Sequence, residues 1–164
     1  MPRTMLKVGQ SLILLLGLLH AVLVYPQTAP KLNQWGSVGQ PAILYDAPSK
    51  QAKPLFIAPA GMPVEVLLTL NAFVKVRDAE GSVAWLEKPA LSTLRTVVTR
   101  QATSLYSAAN ESASITLSLG SGVWLEWLDS NSEGAWLKVR YRSASGSESG
   151  VITGYLKKAA VWGY

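Results

Sequence analysis

Apolar and polar residues alternate in two short stretches that nearly repeat each other, Phe73-Val74-Lys75-Val76-Arg77 and Trp136-Leu137-Lys138-Val139-Arg140. Each reads as a β-strand headed by an aromatic residue, because successive strand side chains point to opposite faces. The echo extends upstream. Leu44-Tyr45-Asp46-Ala47 recurs as Leu105-Tyr106-Ser107-Ala108, and the stretch from Gly61 to Leu67 recurs from Gly122 to Leu128, both 61 positions on. Downstream, Ala84-Trp85-Leu86 recurs as Gly154-Tyr155-Leu156 at a spacing of 70, so the second copy carries a longer loop. Short apolar runs between these points are punctuated by Pro41, Pro48, Pro54, Pro59, Gly61, Pro63 and Gly81, which leaves no room for a long helix. The pattern predicts an all-β chain of two small tandem units, at 37–92 and 93–164, joined through Ser92-Thr93-Leu94. Units this small bury a modest share of their surface and are expected to lean on one another.

The connections have their own signals. Asp78-Ala79-Glu80-Gly81 separates two strand patterns and reads as a hairpin tip, with Asp opening the turn and Gly supplying positive φ. In the second copy that tip grows into the Ser/Gly run 143–150, expected to be a mobile loop because it offers nothing to a core. Residues 30–36 read as a short leader, with Trp35 pinning it to a barrel.

The N-terminus adds a compartment. Arg3 and Lys7 precede an apolar run at 11–24, interrupted only by Ser11 and His20, which is the pattern of an export signal. The run has 14 residues, fewer than the ~20 that span a bilayer. Segment 1–29 is therefore expected to be a signal peptide, with a retained inner-membrane anchor as the alternative because the cleavage site is poor. Membrane contact is expected only through that segment. The chain has no Cys, which excludes disulfides, thiolate metal sites, a Cys nucleophile and a lipoprotein anchor. Without 1–29 it also lacks His and carries 13 basic against 10 acidic residues, with no basic cluster of the kind nucleic acids select.

The residues from Gly61 to Leu67, Phe73 to Arg77, Gly81, and Trp85 to Leu91 resemble the bacterial SH3-like domain, and the second copy matches in the same order. The stretch from Ala42 to Ser49, Arg77 to Gly81, Arg95-Thr96-Val97-Val98 and Val161-Trp162-Gly163 resemble more narrowly a group of exported tandem SH3-like proteins of Gram-negative bacteria. The resemblance implies two small five-stranded β-barrels, an envelope location and a binding or scaffolding role. An Asn-Val-Arg-x-Gly-Pro opening found in commoner members is absent, Tyr45 and Tyr106 standing in that region.

No catalytic constellation emerges, because His and Cys are missing after 1–29 and the ten acids are scattered. No metal or cofactor is expected. SH3-like patterns often accompany a wall peptidase or amidase domain in larger proteins; with the sequence ending at Tyr164, none is expected here. The positive signal is aromatic. Strand parity places Phe73, Lys75 and Arg77 opposite Val74 and Val76, and Trp136, Lys138 and Arg140 opposite Leu137 and Val139. The Val side is core; the other is either a ligand-binding ladder of one aromatic and two cations or a solvated face with its aromatic closed over a loop. Trp85 and Tyr155 join the ladder or the core according to hairpin register. Trp124 points outward beside Glu126, either between the barrels or onto a partner surface. Tyr45 and Tyr106 line a peptide groove or simply reach solvent.

These readings converge on a non-catalytic, periplasmic binding module for an envelope component, with peptidoglycan or its stem peptides first. An envelope protein is the other candidate partner, making the chain a protein-interaction or assembly factor or the regulatory partner of a wall hydrolase; nucleic acid is not.

Overall fold

The computed structural model describes residues 34–129, 134–143 and 150–164. The segment 1–29, expected to be an export signal, and positions 144–149 of the Ser/Gly run lie outside the described residues. The first repeat comprises β1 Gln34–Val38, β2 Ala42–Tyr45, β3 Pro54–Ala58, β4 Pro63–Thr69, β5 Phe73–Arg77, β6 Val83–Glu87 and β7 Leu91–Ser92. The second comprises β8 Thr96–Thr99, β9 Thr103–Tyr106, β10 Ile115–Leu119, β11 Trp124–Trp127, β12 Trp136–Arg142, β13 Val151–Lys157 and β14 Val161–Trp162. The two sheets run β3-β2-β6-β5-β4-β1-β7 and β10-β9-β13-β12-β11-β8-β14, so each strand number in the second exceeds its counterpart by seven. All-β architecture and structural repetition are thus properties of the molecule.

The period-2 pattern dictates the packing. Val38, Leu44, Val64, Val74, Val76 and Leu86 form the first core; Val97, Leu105, Leu125, Leu137, Val139 and Leu156 form the second. Turn chemistry sets the register between β5 and β6. The Asp78 carboxylate accepts the Ser82 N–H at 2.7 Å, and Gly81 takes φ +92° as the hairpin tip requires. A second fixed point ties each repeat's first strand to its fourth. The Gly61 N–H donates to the Val38 carbonyl at 2.7 Å, and the Gly122 N–H donates to the Thr99 carbonyl at 2.7 Å. Both glycines lie in the left-handed region, at φ +83° and +77°, where a Cβ is costly.

Two expectations change. The leader at 30–36 meets β1, whose Trp35 pairs with Glu65 and whose Ser37 pairs with Pro63, so residues 34–36 are strand. Gly36 and Ser37 interrupt the apolar alternation, yet both are buried, and that hid the strand. The five strands implied become seven segments per repeat, because a 3₁₀ turn at Lys88–Ala90 or Lys158–Ala160 delivers a two-residue strand back onto β1 or β8.

The repeats pack into one compact unit. Trp35 and Trp162 meet edge to face across the junction, ring centroids 4.8 Å apart. The Ser37 hydroxyl donates to the Leu94 carbonyl at 2.7 Å. Arg95 lies over the Trp127 ring, 4.8 Å from its centroid, and donates through Nη2 to the Gly163 carbonyl at 3.0 Å. Burial pushes the pKa of Arg95 below the ordinary arginine value. Gly163 has φ +108°, and a Cβ there would stand 2.9 Å from the Thr96 carbonyl oxygen and 3.3 Å from Pro63 Cβ. A side chain at 163 would push the chain end out of the junction.

Trp162→Ala removes half of the edge-to-face pair. We expect a loss of about 1–3 kcal/mol in urea unfolding, the scale of a partly buried aromatic with one ring partner. An unchanged midpoint would mean the clasp contributes no stability.

Candidate functional site

Register settles which side chains share the outer face. Lys138 pairs with Tyr155, and Tyr155 pairs in turn with Tyr106 on β9. Trp136 stands two residues from Lys138 on the same face, with its ring edge to face against Tyr106 at 5.4 Å. The result is an aromatic stripe of Tyr106, Trp136 and Tyr155 with Lys138 on it. A groove of about 360 Å³ opens there, lined by Trp136, Lys138, Tyr155, Asp129, Gly134 and Ala135 among others. The first repeat holds the same set. Lys75 pairs with Trp85, and its ammonium lies 5.7 Å from the Trp85 ring centroid. Tyr45 and Phe73 meet edge to face at 6.2 Å.

The two copies differ in what they leave accessible. Phe73 and Tyr45 are each only 7% exposed, so the first repeat closes this pair into its interior. That removes both as stacking surfaces: the smaller Phe ring tucks under Tyr45, whereas the indole of Trp136 stays half-buried. Of the expected binding aromatics on this face, Trp136 and Tyr106 keep exposed area. Trp85 and Tyr155, whose placement the sequence left open, join them through register.

Charge is also redistributed. Arg77 does not extend the ladder toward a ligand here, because its Nε and Nη2 both donate to Glu65 Oε2, at 2.7 and 2.5 Å. Arg140 is held by Glu126, with Nη1 3.2 and 3.4 Å from the two carboxylate oxygens, and Arg142 reaches the same carboxylate at 3.6 Å. The partners face each other across β4–β5 and β11–β12, where parity puts each acid opposite its arginine. Glu65 is buried, and a buried carboxylate is costly without a cation. These arginines therefore hold strands together, and Lys75 and Lys138 are the stripe's cations that make no ion pair among the described residues. Trp124 turns outward as parity required, 37% exposed, with its ring 4.0 Å from where a Cβ on Gly61 would lie. It sits at the junction of the repeats, away from the stripe.

An ion pair brackets each stripe with its signs exchanged. Lys50 bonds Glu87 at 2.8 Å beside Phe73 in the first repeat; at the corresponding places Glu111 bonds Lys157 beside Trp136. The Lys157 ammonium also lies 5.9 Å from the Trp136 ring centroid. The hydrogen bond and charge of Lys157 hold the Glu111 carboxyl below its ordinary 4.5, and Glu111 raises Lys157 in return. Among the described residues no three His, Cys, Asp or Glu side chains come together as a metal site would need.

The Glu111–Lys157 pair has a defined pH window. A depressed carboxylate contributes stability that is present above its unfolded pKa and lost as pH falls through its folded one. The pair is therefore intact at neutral pH and opens in acid below 4.5. We expect an NMR titration of Glu111 to have its midpoint below 4.5 in the parent and near that value in Lys157→Met. An ordinary midpoint in the parent would show the pair to be unformed.

Comparison with known proteins finds a family match within the first repeat. Residues 38–93 match the model of the bacterial SH3 domain. No curated protein sequence matches the chain. Among solved structures, NlpC2 from Trichomonas vaginalis is similar at 17% identity and TM-score 0.35, over 82% of this chain and 49% of that one. NlpC1 from the same organism is similar at 17% identity and TM-score 0.34, over 86% of this chain and 49% of that one. The chain thus spans about half the length of either. Residues 38–93 are thus similar to a bacterial SH3 domain, and β8 to β14 repeat the strand order of β1 to β7.

Proposed function

We propose that this chain is a non-catalytic, exported module that holds a component of the bacterial envelope, with peptidoglycan and its stem peptides as the ligand class. The observation that carries the reading is the recurrence, in both repeats, of a lysine across from an outer-face aromatic, Lys75 with Trp85 and Lys138 with Tyr155, which the second repeat widens into an accessible stripe. Solvation of the outer face asks only for polar residues, so it gives no reason to keep an aromatic opposite the lysine twice, at Trp85 and at Tyr155. Bacterial SH3 domains commonly engage cell-wall components, which points the same way. In the second repeat the stripe opens into a groove where the faces of Trp136 and Tyr155 can stack on a sugar or peptide plane. Lys138 supplies a charge for a carboxylate. The export signal at 1–29 would deliver the chain to the periplasm, or hold it on the inner membrane if retained.

One observation favours a protein partner as a second reading. β3 is the edge strand of the first sheet, and its Leu55, Phe56 and Ile57 are all exposed. An apolar edge with free backbone groups suits addition of an extended chain, as an assembly factor would use.

Sedimentation with purified sacculi tests the first reading. Trp136→Ala should weaken binding by about 1–3 kcal/mol, the loss typical of a hot-spot aromatic, with melting recorded on the same sample. A folded variant that sediments as well as the parent removes Trp136 from the site. If the parent stays in the supernatant, the wall reading gives way to the protein partner.

A further inference from the structure

We propose that the cleft between the two repeats is a second binding site, selective for a small ligand that presents a carboxylate. The cleft encloses about 380 Å³, within the range of small-molecule sites. Trp35, Glu65 and Arg77 line it from the first repeat; Arg100, Trp162 and Tyr164 line it from the second. It is distinct from the groove at Trp136, with which it shares no residue.

The repeat shows which of these residues the fold alone explains. Glu65 and Arg77 have counterparts in Glu126 and Arg140, so that pair belongs to the common design. The others break the repeat. Trp35 pairs with Glu65 where the second repeat has Thr96 on Glu126. Trp162 occupies on β14 the place of Ser92 on β7. The Arg100 N–H donates to the Ala160 carbonyl just as the Gly39 N–H donates to Ala90, so Arg100 replaces a glycine. Where one repeat has Thr96, Ser92 or Gly39, the other has Trp35, Trp162 or Arg100, and these three larger residues converge on one concavity.

Their chemistry selects an anion. Arg77 spends its Nε and one Nη2 proton on Glu65, which is 8% exposed at its side chain while Arg77 is 46% exposed. The guanidinium is anchored on one edge and retains its Nη1 donors. Arg100 is exposed and makes no ion pair among the described residues. Two guanidiniums from different repeats are suited to share a carboxylate, and the Trp and Tyr rings offer flat faces to whatever carries it. Because each repeat supplies one arginine and one tryptophan, the site exists only when both are docked.

Arg100 is the informative position, since Trp35 and Trp162 also clasp the repeats and Arg77 neutralises a buried acid. Three soluble probes are titrated by calorimetry, with the indole N–H signals of Trp35 and Trp162 followed by NMR. They are the disaccharide of N-acetylglucosamine and N-acetylmuramic acid, a free wall tetrapeptide with unblocked carboxylates, and the neutral N-acetylglucosamine disaccharide. One carboxylate probe should bind and shift both indoles, identifying the source as saccharide or peptide, while the neutral probe should not. Arg100→Gln should weaken that binding about tenfold, the scale of one charge-assisted hydrogen bond, without moving the melting temperature. Added salt should weaken it too. If neither carboxylate probe shifts the indoles, or if Arg100→Gln binds as the parent does, the cleft is no carboxylate site. The wall reading supplies only the choice of probes. Sacculus binding that depends on Trp136 stands or falls separately, because Arg100→Gln leaves that groove intact.

Discussion

A two-residue period constrains everything on the surface of this molecule. Val74 and Val76, like Leu137 and Val139, must face inward for each repeat to have a core, and that commits Lys75 and Lys138 to the outside. The hairpin then decides what stands beside each lysine. With Asp78 and Gly81 fixing the tip, Lys75 falls opposite Trp85; a slip by one residue would put Trp85 into the core and Leu86 into water. The aromatic stripe is in this sense a consequence of core packing and one turn.

Duplication lets conserved chemistry be separated from local invention. The Glu–Arg cross-strand pair survives in both copies although only Glu65 is buried, so its common role is to join the fourth and fifth strands. The peripheral pair survives as a pair but not as residues: Lys50–Glu87 has become Glu111–Lys157. An exchange of signs keeps the local attraction and changes what lies nearest the stripe. In the first repeat a carboxylate adjoins buried Phe73; in the second an ammonium adjoins the accessible ring of Trp136. The copy with the open aromatic thus has the cation of its ion pair, rather than the anion, beside the ring.

Much of the architecture was legible because periodicity and turn chemistry are local. The inward valines, the Asp78–Gly81 tip and the outward Trp124 all follow from spacing alone. What stayed hidden depends on contacts between distant positions. Nothing near Phe73 indicates that Tyr45, 28 residues earlier, closes over it while Tyr106 leaves Trp136 half open. Arg77 and Arg140 read as free cations because their acids lie on a neighbouring strand, although the equal spacing of Glu65 and Glu126 from the two glycine turns held the signal. The cleft was least visible of all. Its residues sit at 35, 77, 100 and 162, and only the docking of two repeats brings them together.

The tryptophans show how the two repeats divide their work. Trp127 is core, with Arg95 over its ring, and Trp85 and Trp136 belong to the stripes. The remaining three, Trp35, Trp124 and Trp162, all stand at the junction. Holding two small repeats together does not by itself demand exposed indole, since aliphatic side chains would exclude water at lower cost in polar burial. Trp124 keeps over a third of its surface open even so. A junction built from large rings yet left partly open, with an arginine on either side, is arranged less as a seal than as a wall. The covalent join at 93–95 keeps the two halves of that wall at high effective concentration, so the cleft forms with the fold and needs no ligand to assemble it.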